Sequence, residues 1–233
     1  SIKEEIMENL ENKKQTFLFR GELALLAAVI INSFGVVLML YSGAGISAIS
    51  SVPYAFSKVL PHISLGTWTY IFQGILIITL MVLRKKFVPQ YLFSFVVGFV
   101  FGKLLDFYEL WINILPKSIP TCVFYFVISY ILLCIGIALS NICQLPIVPT
   151  DLFPREMADI TGVRYSKIKI GFDVTCLLTT AFMTGYFLRH IDGLGIGTIV
   201  AAFTMGKGIS IAGNIIDRHM TFRSFMSVNE QSA

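Results

Sequence analysis

Six apolar segments of bilayer-spanning length recur along the chain, and they restrict its fold more than any other feature. They cover roughly 21–42, 65–83, 91–112, 119–141, 168–188 and 194–215. A helix needs roughly 20 apolar residues to cross a bilayer core. Soluble domains carry about 25% charged residues, whereas this chain carries 14%. The pattern predicts an all-α integral membrane protein with six transmembrane helices, surrounded by the lipid bilayer.

Basic residues fall mostly on one side of this topology. They precede the first span, follow the second and sixth, and fill the connection between the fourth and fifth, where the last of them is Lys169. The opposite side holds only Lys58, Lys117 and Arg189. Because basic loops remain cytoplasmic, both termini are predicted to face the cytoplasm. This bias accounts for the net charge of +4 without a nucleic-acid partner.

The two chain ends are predicted to lie outside the bundle. Residues 1–20 are charged and amphipathic, which favours a short cytosolic or interfacial helix, with a disordered tail as the alternative. Residues 218–233 are predicted to form a cytosolic tail. The four cysteines lie within or beside spans, and their spacing suits neither a zinc site nor a disulfide framework. The sequence therefore predicts no metal and no other cofactor.

The two halves of the chain, 21–117 and 118–217, resemble each other. In order, the matches pair Gly35 with Gly136, the Val-Pro of "SSVPYAF" with that of "PIVPTDL", Gln73 with Asp173, and Gly102-Lys103 with Gly206-Lys207. Because each half holds an odd number of spans, the second copy would cross the membrane in the opposite sense. The sequence thus predicts two inverted three-helix repeats, an architecture common in transporters and found in some channels.

Long connections, 42–65 and 142–167, separate the first two spans of each half. Both contain prolines and an amphipathic apolar stretch. We expect each to form a half-helix that re-enters the bundle, and an amphipathic helix on the membrane surface fits the sequence equally well. In the second connection Thr150 or Asp151 could serve as the N-cap.

Two lysines lie near the middle of predicted spans. Lys103 is twelve residues into the third span, and Lys207 reaches a similar depth in the sixth. Ionisable residues at this depth are expensive and normally face a bundle interior or a cavity. Small residues beside each lysine favour a close helix crossing. We therefore expect the two lysines to approach each other and to bind an anionic or zwitterionic solute between the repeats.

Acidic residues extend this predicted site. Asp106 and Glu109 share the helix face of Lys103. The alternative to a binding site is therefore a self-paired strut, in which Lys103 and Asp106 neutralise each other and bind no ligand. The partner of Lys207 would come from another helix, with Asp173 or Glu22 possible, or from the solute. The predicted solute-binding residues are Lys103, Lys207, Asp106, Asp173 and Gln73, the coupling or gating residues are Glu109 and Asp151, and the close-packing residues are Gly98, Gly102 and Gly206.

Three stretches resemble a known group of proteins: "GVVLMLYSGAGISAISSVPYAFSK", "SNICQLPIVPTDLFPREMADITG" and "GTIVAAFTMGKGISIAG". They are similar to the YczE/YyaS/YitT family of bacterial integral membrane proteins, in particular its YczE-like branch, over about residues 21–217. The resemblance implies a multi-pass protein of the bacterial cytoplasmic membrane. It implies no catalytic or binding residues.

The sequence favours a secondary transporter of a small anionic or zwitterionic solute. The alternatives are the substrate-binding subunit of an energy-coupling-factor-type vitamin importer, or a channel. We expect no enzyme, since no metalloprotease, nucleophile-elbow or nucleotide-binding motif occurs and the histidines lie outside the predicted spans. A homodimer would widen so narrow a bundle, but the sequence leaves the oligomeric state open.

Overall fold

The computed structural model describes residues 17–143, 145 and 147–223, and these form eight α-helices. In chain order the helices are α1 (Gly21–Tyr41), α2 (Ala48–Val59), α3 (Leu65–Arg84), α4 (Gln90–Trp111), α5 (Ile119–Ile142), α6 (Pro149–Thr161), α7 (Tyr165–Phe187) and α8 (Ile196–His219). A 3₁₀ turn, Ile112–Ile114, follows α4. Two short strands, β1 (Phe17–Arg20) and β2 (Met220–Arg223), flank the helices.

Helices α1, α3, α4, α5, α7 and α8 are long and apolar enough to cross a membrane. Their bounds agree with the six predicted spans to within a few residues, so the all-helical, six-span fold is confirmed. Large apolar side chains on their outer faces, such as Ile78, Phe93 and Phe182, are exposed, as a lipid-facing surface requires. The described chain is a multi-pass helical membrane protein.

The chain enters and leaves the bundle at one end. Strands β1 and β2 pair in parallel, with Phe17 opposite Met220, so the start of α1 and the end of α8 lie at the same end of the bundle. Residues 17–20 are therefore extended and not helical, and the rest of the predicted N-terminal helix lies outside the described residues. Helix α8 runs to His219, slightly past the predicted boundary at 217. The last ten residues of the predicted tail also lie outside the described part.

Helix α2 is a re-entrant half-helix. Its first turn lies beside Val36 and Phe101, which are well inside α1 and α4, whereas Lys58, near its end, lies beside Tyr41 at the end of α1. The chain therefore returns to the middle of the bundle after α1, and α2 runs back outward. Twelve residues at 1.5 Å each span about 18 Å, roughly half a bilayer core. The surface-helix alternative is wrong for this connection.

Helix α6 is the second half-helix, and it approaches from the opposite end. Its first turn reaches the same central region through Asp151. Its later residue Glu156 accepts hydrogen bonds from Arg84 and Tyr91, where α3 ends and α4 begins. The helix begins at Pro149 after Val148, so neither Thr150 nor Asp151 is the N-cap. Proline suits the first helical position because its missing N–H has no intrahelical partner there.

The packing contacts of the two halves correspond. Gly35 of α1 faces Leu133 of α5, and Gly136 of α5 faces Asn32 of α1. Prolines occupy the sixth position of both half-helices, which aligns Pro53 with Pro154. Pro53 and Pro154 are separated in the sequence by the same number of residues as Gly35 and Gly136. This pairing replaces the predicted Val-Pro match, in which Pro53 would correspond to Pro149.

Candidate functional site

A cavity of about 20 Å³ lies where the first turns of α2 and α6 meet in the middle of the bundle. Seven helices contribute to its wall. The polar lining residues are Asn32, Ser47, Ser50, Thr150, Asp151, Lys169 and Asp173, and the apolar ones are Val36, Ala48, Ile49, Phe101, Leu133, Ile137, Ala201 and Met205. This volume holds about one water molecule, so binding a larger solute requires the helices around the cavity to move apart.

An ion pair on α7 forms one wall of the cavity. The Lys169 ammonium lies 2.5 Å from an Asp173 carboxylate oxygen, one helical turn away. Lys169 is 2% exposed and Asp173 is 1% exposed. Two charges removed so fully from water are stabilised only by their mutual attraction and further hydrogen bonds. The pair is therefore a fixed dipole at the centre of an apolar bundle.

Asp151 adds a second carboxyl group from the first turn of α6. It is 6% exposed, and burial raises its pKa from 3.8 to about 6. Asp173 raises the pKa further, while Lys169 and Arg155 act in the opposite direction. The protonated form dominates below about pH 6, so Asp151 can gain or lose a proton near physiological pH.

The N-terminus of α2 points backbone donors at the same cavity. The N–H groups of Ala48, Ile49 and Ser50 have no hydrogen-bond partner among the described residues. The Ser47 hydroxyl donates to Ser50 rather than capping the helix. Free N–H groups and the helix dipole give a helix N-terminus an affinity for anions. This end of α2 therefore attracts negative charge.

Asn32 leaves hydrogen-bonding capacity at the cavity unused. It is 2% exposed, and its side-chain oxygen and nitrogen have no partner within the described chain. A buried amide without partners costs free energy unless water or a ligand satisfies it. Together with the α2 donors, the ion pair and Asp151, it completes a site that can hold both a negative and a positive group.

Lys103 and Asp106 do not line this cavity. Lys103 is exposed, with its ammonium 5.6 Å from the centre of the Phe99 ring. The Asp106 carboxylate accepts hydrogen bonds from the Gly66 N–H and the Ser64 hydroxyl, at 2.8 and 3.0 Å. Asp106 thus caps the start of α3. Among the described residues it makes no ion pair with Lys103, so the self-paired strut is also absent.

Lys207 is exposed on α8, so the predicted approach of Lys103 and Lys207 inside the bundle is wrong. The expected link from Lys207 to Asp173 is also wrong, since Asp173 pairs with Lys169. Glu109 lies in a different pocket, near the end of α4. Of the predicted site residues, the cavity brings together Asp151 and Asp173.

Gln73 is fully buried beside Gly98, and its amide has no partner in the described part of the chain. The glycines predicted to pack closely do lie at helix contacts: Gly98 and Gly102 against α3, and Gly206 against Ser166 of α7. The solute-binding role predicted for Gln73 remains a prediction.

Sequence reasoning missed Lys169. The charge pattern groups it with the basic residues of the cytoplasmic connection, although the fifth span is predicted to begin at 168. Helix α7 begins at Tyr165 and places Lys169 inside the helix. The spacing of Lys169 and Asp173, four residues apart, was the available signal. In the predicted repeat alignment their counterparts are Thr69 and Gln73, both buried and uncharged.

Comparison with known proteins places the chain in a family and gives no function. A family model described as a family of unknown function (DUF6198) matches residues 19–214. No curated protein and no solved structure matches the chain. The family match provides no link to the YczE/YyaS/YitT group, so that resemblance stays a prediction.

Proposed function

The chain belongs to the family of unknown function DUF6198, and we propose that it is a secondary transporter of a small anionic or zwitterionic solute. One observation carries the proposal: two half-helices meet, N-terminus first, at a buried cavity that also holds Lys169, Asp173 and Asp151. Transporters bind solutes near the bilayer midplane at discontinuous helices, whose N-termini attract anionic groups. An anionic group of the solute would lie at the α2 N-terminus and Lys169.

Burial of the charged residues favours a carrier over a channel. An open pore would expose its lining to water, whereas Asp151, Lys169 and Asp173 are at most 6% exposed. A carrier needs such an occluded state between its two open states, and movement of the half-helices would open the cavity to either side. Transport would then saturate with solute concentration.

Asp151 is the proposed proton-coupling residue. Its pKa of about 6 allows it to bind a proton on an acidic side and release it on a neutral one. Protonation removes a negative charge from the cavity, which favours an incoming anionic group. Solute and proton would therefore move together.

The corresponding contacts of the two halves support an inverted repeat. Half-helices that approach the centre from opposite ends are expected of two copies related by an axis in the membrane plane. The positive-inside bias supports cytoplasmic termini, with the Tyr41 end of α1 facing outward in a bacterial cytoplasmic membrane. The exposed mid-span lysines, Lys103 and Lys207, support a homodimer that shields them from lipid, because charge at this depth is expensive.

Thermal stabilisation of the purified protein tests the binding site. Small anionic and zwitterionic metabolites are screened against wild type, Lys169→Thr/Asp173→Gln and Lys103→Gln/Lys207→Gln. A ligand that binds only the native state raises Tm with its occupancy. We expect Tm to rise in wild type and in the Lys103/Lys207 variant, and to rise much less in the Lys169/Asp173 variant. A loss of stabilisation in the Lys103/Lys207 variant alone would instead indicate that the solute binds at Lys103 and Lys207.

A further inference from the structure

A second polar pocket of about 340 Å³, the outer pocket, lies at the end of the bundle opposite strands β1 and β2. It is formed by α1, α2, α4 and the segment between α4 and α5. Its polar lining residues are Tyr41, Tyr54, Lys58, Glu109, Asn113 and Lys117. A volume above about 300 Å³ is typical of sites for small metabolites, whereas the central cavity holds about one water.

Tyrosine rings position both lysines of this pocket. The Lys58 ammonium lies 5.2 Å from the centre of the Tyr54 ring, and the Lys117 ammonium lies 5.0 Å from that of Tyr41. The Tyr41 hydroxyl donates a 2.7 Å hydrogen bond to the Leu115 carbonyl, which fixes its ring. Cation–π contacts of this length hold an ammonium without neutralising it.

The charged residues of the pocket form no direct ion pair with one another. Among the described residues, no carboxylate oxygen lies within 4 Å of the Lys58 or Lys117 ammonium. No basic group of the described residues lies within 4 Å of the Glu109 carboxylate. Opposite charges that line one pocket without pairing are free to bind a ligand that carries both. The central cavity offers the same combination, an ammonium from Lys169 and carboxyl groups from Asp151 and Asp173.

We infer that this outer pocket is a loading site and that the transported solute is a small zwitterion, with an anionic group bound by Lys58 and Lys117 and an ammonium bound by Glu109. The inference rests on the proposed transport function and narrows its solute class. Helix α2 connects the two sites, because Tyr54 and Lys58 line the outer pocket and Ser47 and Ser50 line the cavity. A solute that leaves the pocket along α2 meets the free N–H groups at its start.

The test measures binding of ω-amino acids of increasing length (glycine, β-alanine, γ-aminobutyrate and δ-aminovalerate) by calorimetry on the purified full chain. Each is compared with the simple carboxylate and the simple amine of equal length. The variants are Lys58→Gln and Glu109→Gln in the pocket, and Lys169→Thr/Asp173→Gln at the cavity. Lys86→Gln, an exposed lysine at the opposite end of the bundle, is the matched control.

We expect at least one ω-amino acid to bind wild type at least tenfold more tightly than either equal-length fragment. Its Kd should rise at least tenfold in both pocket variants and stay constant in Lys86→Gln. The cavity variant should retain this binding but lose uptake into liposomes. Unchanged Kd in both pocket variants, or equal binding of the simple carboxylate, would overturn the inference.

The outcomes separate the inference from the proposed function. If the pocket variants bind and transport as wild type while the cavity variant loses uptake, the loading site is wrong and the transporter stands. If the cavity variant keeps wild-type uptake, transport does not pass through the central cavity; if wild type itself takes up no solute, the proposed function is wrong. If no ω-amino acid binds wild type, the zwitterion assignment is wrong.

Discussion

Lys169 and Asp173 stabilise each other, so replacing one leaves the other charge buried without compensation. We predict that Lys169→Met lowers the free energy of unfolding by about 3–5 kcal/mol, as expected when one partner of a buried ion pair is removed. The double variant Lys169→Thr/Asp173→Gln, which introduces the residues of the other half, should recover most of the loss. Denaturant unfolding in detergent measures both values.

The control for this prediction is Lys207→Met. Lys207 is exposed, and the described structure gives it no ion pair. Because charge at this depth is expensive, its removal should leave the free energy of unfolding unchanged or raise it. An equal loss in both single lysine variants would contradict a special role for Lys169.

Asp151 gives stability a predictable pH dependence. Its pKa is about 6 in the folded protein and near 3.9 in an unfolded chain, so the folded state binds the proton more strongly. Binding of this proton stabilises the folded state fully below about pH 4, and this stabilisation is lost as the pH rises to about 6. We predict that wild type loses stability across this window relative to Asp151→Asn, measured by unfolding at each pH.

The charged groups around Asp151 are Lys169 and Asp173 of α7 and Arg155 of its own helix, with Tyr165 also within electrostatic range. All four residues are retained in Asp151→Asn, so the comparison isolates the Asp151 carboxyl group together with its coupling to them. Parallel stability curves for the two proteins would show that Asp151 does not titrate in this window.

The sequence identified depth well and orientation around the helix poorly. Lys103 and Lys207 do lie near the middle of spans, as their position in the apolar segments predicts, but both are exposed. Which side of a helix faces the bundle depends on the helices packed around it, and an apolar sequence does not specify these. Lys169 was missed for a related reason, because Ser166, Lys167 and Lys169 lower the apolar signal at the start of α7.

Close contact between helices depends on glycines whose surroundings differ. An added Cβ at Gly66 would lie 2.1 Å from the Gly102 carbonyl oxygen, whereas at Gly171, also within a span, nothing lies within 4 Å. We predict that Gly66→Ala lowers the free energy of unfolding by about 1–3 kcal/mol, because α3 and α4 must separate. Gly171→Ala should raise it by up to about 1 kcal/mol.

Unfolding of the two alanine variants under identical detergent conditions checks this difference. Gly66 also donates its N–H to Asp106, so its replacement should disturb the cap of α3 as well. Equal stability of the two variants would contradict the close α3–α4 contact.

Helix bounds followed from the sequence because apolar length is a direct requirement of the bilayer. The half-helices were only one of two alternatives, since a buried and an interfacial amphipathic segment have the same composition. Their contacts decide the matter: Ser51 of α2 shares a 2.8 Å hydrogen bond with Thr180 of α7, a pairing that local sequence does not encode.

The paired strands and six spans predict a topology with both ends on one side. In a cysteine-free background, a cysteine at Lys117 should react with a membrane-impermeant maleimide added to intact cells. One at Lys86 should react only after the cells are opened. Labelling of the Lys86→Cys variant in intact cells would reverse the orientation and place the outer pocket on the cytoplasmic side.

Uptake by purified protein in liposomes addresses transport itself. Wild type, Lys169→Thr/Asp173→Gln and Lys103→Gln/Lys207→Gln are reconstituted with an inward proton gradient, and uptake of the best-binding ω-amino acid is followed with time. We predict saturable, gradient-dependent uptake by wild type and the Lys103/Lys207 variant, and less than a tenth of that rate in the Lys169/Asp173 variant. Wild-type uptake by the Lys169/Asp173 variant would contradict transport through the central cavity.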